Sequence, residues 1–276
     1  MTQTNQALPS TLVRTRGKIR INNPDYTRPL KIFLLGFLAL SLILMYVVPF
    51  DWKKIISRIP NLASSFKFLL VLDLSEADIV LPYFYETLSV AVLSTVYSAG
   101  LGLFLAIFQA KNITPHRFLP PIFTALFTFI RAVPSFIWVL LVLVCLGFGS
   151  APAIVGICIH STAFFAQAFS RSFEEIRPET LEALASTGAN KTKTFFSAVL
   201  PSALTSLIAW LSMSFETNFH GAAILGMVGA GGVGHIIQVA FNSYRYGRAW
   251  LAVLIVVGFT YLFEFSSVAL KQRLKV

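Results

Sequence analysis

Few side chains in this sequence are spaced to do covalent chemistry. The four histidines, His116, His160, His220 and His235, form no H-x-x-x-H pair, and none is set with a cysteine at metal-ligand spacing. Cys145 and Cys158 both fall inside apolar runs, with no disulfide framework or metal spacing around them. No Ser, His and Asp set can be assembled from spacing, and His160-Ser161-Thr162 reads as a polar cluster bonded between helices. Gly229-Ala230-Gly231-Gly232-Val233-Gly234 fits G-x-G-x-x-G, which cradles phosphate when a strand precedes it and an acid follows about 20 residues on. Here an apolar run precedes it, Arg248 and Trp250 stand where the acid belongs, and the Lys-Ser/Thr of a nucleotide loop is missing. Two readings remain for Gly229, Gly231, Gly232 and Gly234: non-helical backbone lining a cavity, or close packing by glycine.

The charges inside apolar runs say more. Arg131 stands in Arg131-Ala132-Val133-Pro134, and Glu216 stands in Phe215-Glu216-Thr217-Asn218. Counted from the same side of the membrane they lie about 13 and about 15 residues in, or roughly 20 and 22 Å. A charge at that depth costs about 2.5–3.5 kcal/mol on insertion scales, so each must face protein or water and find a partner. His220 is one helical turn beyond Glu216 and shares its face. An anion passing there would meet Arg131 and a partly protonatable His220, with Glu216 keeping the site from trapping it. The other role open to Arg131 and Glu216 is a structural pair that fixes helix register.

Those residues sit in a chain of 276 that is 56% hydrophobic and 12% charged. A soluble domain carries about 25% charged residues, so this composition is that of a polytopic membrane protein. The net charge of +10 follows no basic stripe interleaved with aromatics, which argues against nucleic acid as a partner. Residues 1–31 form a basic tail, and Ile32 to Pro49 is an uncharged apolar run of roughly 27 Å, long enough for an anchor helix over 32–49. No small-residue cleavage site follows it, which fits an uncleaved anchor. Residues 50–81 are mixed and too charged to cross, with an interfacial helix as their reading. Further spans are expected at Pro82–Ala110, Phe118–Gly147, Ala151–Phe173, Ser202–Val228 and Ala249–Leu270. The second carries Ser94, Thr95, Ser98, Ala99, Gly100 and Gly102, small residues that let membrane helices approach. The third is broken at Pro134, each half being too short to cross alone.

Six spans place both ends of the chain on one side. That side holds 15 of the 22 Lys and Arg residues, and the other holds six. By the positive-inside rule the termini, the 111–117 turn and the 171–201 loop are cytosolic.

The longest polar interval in the second half is Glu174 to Pro201. Pro178 suits a first helical position, and Glu179 and Glu182 complement the helix dipole. Leu181, Leu184, Ala185 and Gly188 make one apolar stripe, Gly188 ends the helix, and Asn190 can cap a second one. That second helix presents Phe195, Phe196, Val199 and Leu200 on one side and is expected to stop at Pro201. The elbow is either a connector packed on its own spans or a docking surface.

Glu182-Ala183-Leu184, three residues, Gly188, nine residues and Ala198-Val199-Leu200-Pro201 resembles the EAA signature of ABC-importer permeases, Glu-Ala-Ala-x3-Gly-x9-Ile-x-Leu-Pro. Leu184 and Ala198 depart from it by apolar exchanges. The resemblance implies a type I ABC importer-like transmembrane domain: an all-α polytopic membrane protein of six transmembrane helices. It makes residues 82–270 the permease core and the 174–201 loop a coupling helix seated on an ATP-hydrolysing subunit. It assigns that docking to Leu181, Glu182, Ala183, Leu184, Gly188, Phe195, Phe196, Leu200 and Pro201. The run from His160-Ser161-Thr162 through Phe215-Glu216-Thr217-Asn218 to Ile224-Leu225-Gly226-Met227-Val228-Gly229 and Gly234 is similar to the phosphonate-type branch. That branch often has Arg where this chain has His220. The implied solute is phosphonate or a related phosphorus oxyanion, phosphite or phosphate. The implied pathway is Arg131, Pro134, Glu216, Asn218, His220 and the glycines of 229–234. The chain itself is expected to be no enzyme and to hold no cofactor and no metal, with Mg-ATP on a partner ATPase. The expected partners are cytosolic ATPase subunits, a periplasmic or lipid-anchored binding protein and a second copy of the chain about a two-fold axis. The setting is a bacterial cytoplasmic membrane, with 271–276 a cytosolic basic end. The alternatives are a permease for another small solute, or a secondary carrier or channel not driven by ATP. A carrier would show internal repeats and mid-bilayer coupling acids; no repeat is evident, and buried acids are few.

Overall fold

The computed structural model describes residues 14–15, 18–19, 24–48, 51–69 and 72–274. It divides into two compact units, residues 1–64 and 65–276. The first holds a two-residue antiparallel pairing, Arg14–Thr15 with Lys18–Ile19, then α1 (Pro24–Val47) and most of α2 (Trp52–Leu69). α1 starts ahead of the apolar run because Pro24 fits a first helical position. Asp51 starts α2 by accepting the Lys54 N–H at 3.0 Å, a side-chain N-cap.

The regular elements among the second unit's described residues are all helices. Asp73 caps the turn Leu74–Glu76, which leads into α3 (Ala77–Gln109). α4 (Leu119–Ala132) and α5 (Ser135–Leu146) follow, then α6 (Ser150–Glu174), α7 (Pro178–Ser186) and the one-turn α8 (Lys191–Thr194). α9 (Leu200–Leu225), α10 (Gly232–Asn242) and α11 (Tyr246–Leu274) complete it. Among the described residues five helices are long and apolar enough to cross a membrane, and there are six if the bent pair α4 and α5 counts as one span.

α6 is the hub, packed on α3, α4, α5 and α9. It can be central because small residues let its neighbours come close. A Cβ on Gly102 of α3 would run into Phe165 of α6, and one on Gly156 of α6 would sit 2.5 Å from the Val139 Cα of α5. Ser94, Thr95 and Ser98 of α3 are buried as expected, whereas Gly100 faces open space. The main apolar cluster gathers Phe165, Phe169 and Phe173 of α6 with Ala106 of α3, Phe195, Val199 and Leu207.

Two chain breaks have clear causes. α4 and α5 meet at 83°. Pro134 has no N–H to give the Ile130 carbonyl, and the Trp138 indole N–H donates to it at 3.0 Å instead. The second break corrects an expectation. The helix after the elbow does not stop at Pro201 but runs through it, from α8 into α9. Phe195–Val199 is a π-turn in which the Leu200 N–H reaches back to the Phe195 carbonyl. The wide turn makes room where the Pro201 ring would otherwise press on the preceding turn.

Candidate functional site

The α7–α8 elbow is built from local signals. Pro178 is at the start of α7. Gly188 leaves it at φ +79°, its N–H bonded to the Ala185 carbonyl at 3.0 Å, while the Ala189 N–H reaches Leu184 at 3.3 Å. The Asn190 side chain caps α8 by accepting the Lys193 N–H at 2.8 Å. Glu182, Ala183 and Gly188 are exposed, and Leu181 and Leu184 half-buried. Clefts flank α7 on either side: one of about 640 Å³ bordered by Glu179, Ala183 and Ala198, and one of about 290 Å³ bordered by Asn112, Glu182 and Lys191.

The residues expected at the docking surface differ in burial, and Phe195 is placed away from it. Phe195 is 7% exposed and meets Phe173 edge-on at 5.4 Å, so it belongs to the chain's own core. Leu181 and Leu200 pack partly on that same cluster. Pro201 is exposed but sits inside a continuing helix. Phe196 is 62% exposed and remains on the surface with Glu182 and Ala183.

The elbow is tied to the turn that joins α3 and α4. Lys191 Nζ donates to the Thr114 carbonyl, and the Asn112 amide donates to the Phe173 carbonyl, both at 2.7 Å. The Lys111 N–H donates to Glu174 at 2.7 Å. Lys191 thus joins the elbow to the α3–α4 turn, and Asn112 and Lys111 join that turn to the end of α6.

Inside the apolar slab, Arg131 lies exposed at the end of α4, beside the bend and the exposed Pro134. Within the chain its hydrogen-bond partner is Gln167 and not Glu216, and a pairing across a dimer axis lies outside a single chain. One guanidinium N–H donates to Gln167 Oε1 of α6 at 2.6 Å, and the group lies 5.4 Å over the Phe164 ring. The Gln167 amide in turn donates to Thr128 at 3.3 Å. No ion pair joins Arg131 to Glu216 among the described residues. Glu216 is half-buried, and His220 is exposed one turn on. Asn218 instead turns inward: Ser161 Oγ donates to its Oδ1 at 2.8 Å, and its Nδ2 donates to Thr95 at 3.0 Å. It braces α3, α6 and α9.

The glycine turn is explained by packing. Gly229, Gly231 and Gly232 have φ of +105°, +80° and +69°. A Cβ on Gly229 would strike Phe148, one on Gly231 would lie 2.5 Å from a Glu86 oxygen, and one on Gly234 would meet the Ala223 carbonyl. Glu86 accepts the Gly232 N–H at 2.8 Å, and Thr87 accepts the Val233 N–H at 2.7 Å. The N-terminus of α10, where a phosphate would bind, is thus already taken by a carboxylate.

At the same end as that turn, Glu76 pairs with Arg248 and, at 3.4 Å, with Arg245. Asp73 lines the adjoining cleft of about 330 Å³. The Ser75 hydroxyl, at 2.6 Å, and its N–H hold the Asp73 carboxyl below the ordinary carboxylate range. Sequence reading left Gln167, Trp138, Glu86 and Glu76 without roles. Glu86, an acid within an apolar stretch, carried a signal; the others are joined only by the fold.

The sequence profile of a family described as the binding-protein-dependent transport system inner membrane component matches residues 98–276. The phosphate-import permease protein PhnE of Mycolicibacterium smegmatis is 31% identical over 189 residues, 68% of this chain but 36% of that protein, so the chain spans about a third of that relative's length. The putative phosphite transport system permease protein HtxC of Stutzerimonas stutzeri is 27% identical over 235 residues, covering 84% of this chain and 83% of that one. An inward-facing structure of the MetNI methionine ABC transporter aligns at a TM-score of 0.67 and 21% identity, over 74% of this chain and 100% of that chain. At that identity the likeness is one of fold.

Proposed function

The chain belongs to the binding-protein-dependent transport system inner membrane component family and is an ABC importer permease, and we propose that its solute is phosphonate or a related phosphorus oxyanion, phosphite or phosphate. The observation that carries the oxyanion reading is Arg131. Its guanidinium stands exposed in an apolar span and is held by a neutral amide, Gln167, so that no carboxylate of the chain compensates its charge. The permeases named above for phosphate and phosphite uptake support the same class.

In this reading the exposed surface of α7 with Phe196 seats on a separate cytosolic ATPase, which supplies Mg-ATP hydrolysis. A binding protein delivers the solute on the opposite face, and a second copy of the chain completes the pathway. The setting is the bacterial cytoplasmic membrane, with both termini cytosolic, as the excess of Lys and Arg on that side supports. Closure of the ATPase pair draws the two elbows together. The bonds from Lys191 and Asn112 carry that movement to α3, α4 and α6, and so to Arg131 at the end of α4.

The test is growth of a deletion strain on phosphonate, phosphite or phosphate as the sole phosphorus source. Loss of growth on one, restored by the gene, identifies the solute. Unchanged growth and uptake on all three overturns the oxyanion reading. Purification of the tagged chain from its native membrane is expected to bring an ATPase with it, whereas a carrier or channel would purify alone.

A further inference from the structure

α2 is amphipathic to a degree that its position between two spans does not by itself require. Advancing 100° per residue, Trp52, Ile55, Ile56 and Ile59 fall within an arc of roughly 100°, and the sequence repeats apolar residues at 62, 63 and 66 in the same register. Trp52 is 49% exposed and Ile56 is 62% exposed. Lys53, Lys54 and Arg58, with Ser57, occupy the remaining arc. Residues 51–69 carry four basic side chains against the single acid Asp51. The face of the membrane concerned holds only six of the chain's 22 Lys and Arg residues. A basic cluster runs against the charge bias of that face and so calls for a partner of its own.

The chain also limits where α2 can be. α1 ends at Val47 and α2 begins at Trp52, and after Leu69 the next candidate span begins at Leu74. Four linking residues reach at most about 14 Å, so neither end of α2 can leave the membrane surface by more than that. A helix roughly 27 Å long, tied so closely at both ends, lies along the surface.

We propose that α2 lies in the membrane–water interface, its Trp52–Ile59 face in the acyl boundary and its basic residues on the phosphates of anionic phospholipids. In the orientation given above this is the outer leaflet. The inference rests on the membrane reading of the chain and not on the identity of its solute. It would place a lipid-sensitive element between the first two spans.

The full chain is tested in nanodiscs containing phosphatidylglycerol and phosphatidylethanolamine. The photo-crosslinking residue benzoylphenylalanine is placed at Ile55, Ile56 or Ile59 and, as a control, at Ser57. Lipid adducts are expected at the three isoleucine positions at about five times the yield at Ser57. Phosphatidylglycerol is expected to be enriched among them several-fold over the disc composition. Lys53→Gln, Lys54→Gln and Arg58→Gln together are expected to return that ratio to the composition, since each basic residue near an anionic surface is worth about fivefold. Protein adducts in place of lipid at Ile56 and Ile59 would assign the face to a protein partner and overturn the proposal. So would a wild-type adduct ratio equal to the disc composition. Uptake measured in sealed proteoliposomes of the same lipid composition keeps a failure of transport separate from a failure of lipid contact.

Discussion

Gly188 offers a test in which backbone and space can be told apart. It leaves α7 at φ +79°, and a Cβ built on it meets no heavy atom within 4 Å. Any penalty for a side chain there is therefore one of backbone conformation. An ordinary L residue held in the left-handed region costs about 1–2 kcal/mol, a population shift of about 5–30-fold. Asn visits that region readily, and a β-branched residue pays most. In the assembled complex, solute-stimulated ATP hydrolysis should rank Gly188 with Gly188→Asn, then Gly188→Ala, then Gly188→Val. The valine variant should be down about tenfold or more while its amount in the membrane is unchanged. The bonds of Gly188 to Ala185 and of Ala189 to Leu184 are what that residue would distort. Full activity of Gly188→Val would show that the elbow does not couple the ATPase to the spans. Activity of Gly188→Asn as low as that of Gly188→Val would show that open space beside Gly188, and not its φ, is what the complex uses.

The two adjacent phenylalanines should behave oppositely. Phe196→Cys is expected to be labelled in the isolated subunit and protected in the complex, and Phe195→Ala to lower subunit stability by about 3–5 kcal/mol, read as lost thermal stability without a specific defect in coupling. Glu86→Leu leaves the Gly232 N–H without its acceptor and should cost about 1–3 kcal/mol, lowering the melting temperature, whereas Glu86→Gln should recover most of it. Gln167→Leu should leave the protein folded and raise the apparent KM for solute, because Arg131 loses its orienting acceptor, while Phe164 and Thr128 stay in place.

The spans, the break at Pro134 and both caps of the elbow were legible because each depends on residues near in sequence. Pro178, Gly188 and Asn190 act within one or two turns, so their roles survive without knowledge of the fold. The docking face was read less well. Helical periodicity puts Phe195 and Phe196 on one side, but the π-turn over Phe195–Val199 widens the helix there and resets the faces that follow. Phe195 enters the core and Phe196 stays outside. Nothing local announces that turn except Pro201, which reads equally as a stop. Gln167 and Glu76 were silent for another reason. Their partners lie 36 and 172 residues away, and only the packing of α6 on α4, and of Glu76 on Arg248, brings them together.

The polar groups of the apolar slab separate by what already satisfies them. Asn218 spends its oxygen on Ser161 and its amide on Thr95. Gln167 spends its oxygen on Arg131 and its amide on Thr128. Glu86 is occupied by the start of α10. Among the described residues, Glu216 and His220 have no hydrogen-bond partner, and a single hydrogen bond ties the Arg131 guanidinium, which has five N–H donors. Within a bilayer such groups cannot be left facing lipid, so their partners must come from water, from a second copy of the chain or from the solute itself. Asn218 and Glu86 therefore hold the helices in place, Gln167 both joins α6 to α4 and orients Arg131, and in the proposed function the second set faces the solute along α4 and α9. Asn218, which the family resemblance had grouped with Glu216 and His220, belongs with the braces. On this division Asn218→Leu should cost stability in proportion to two lost interhelical bonds, about 1–2 kcal/mol, and leave the KM for solute unchanged. Glu216→Gln should do the reverse. A raised KM in Asn218→Leu with stability intact would refute the division.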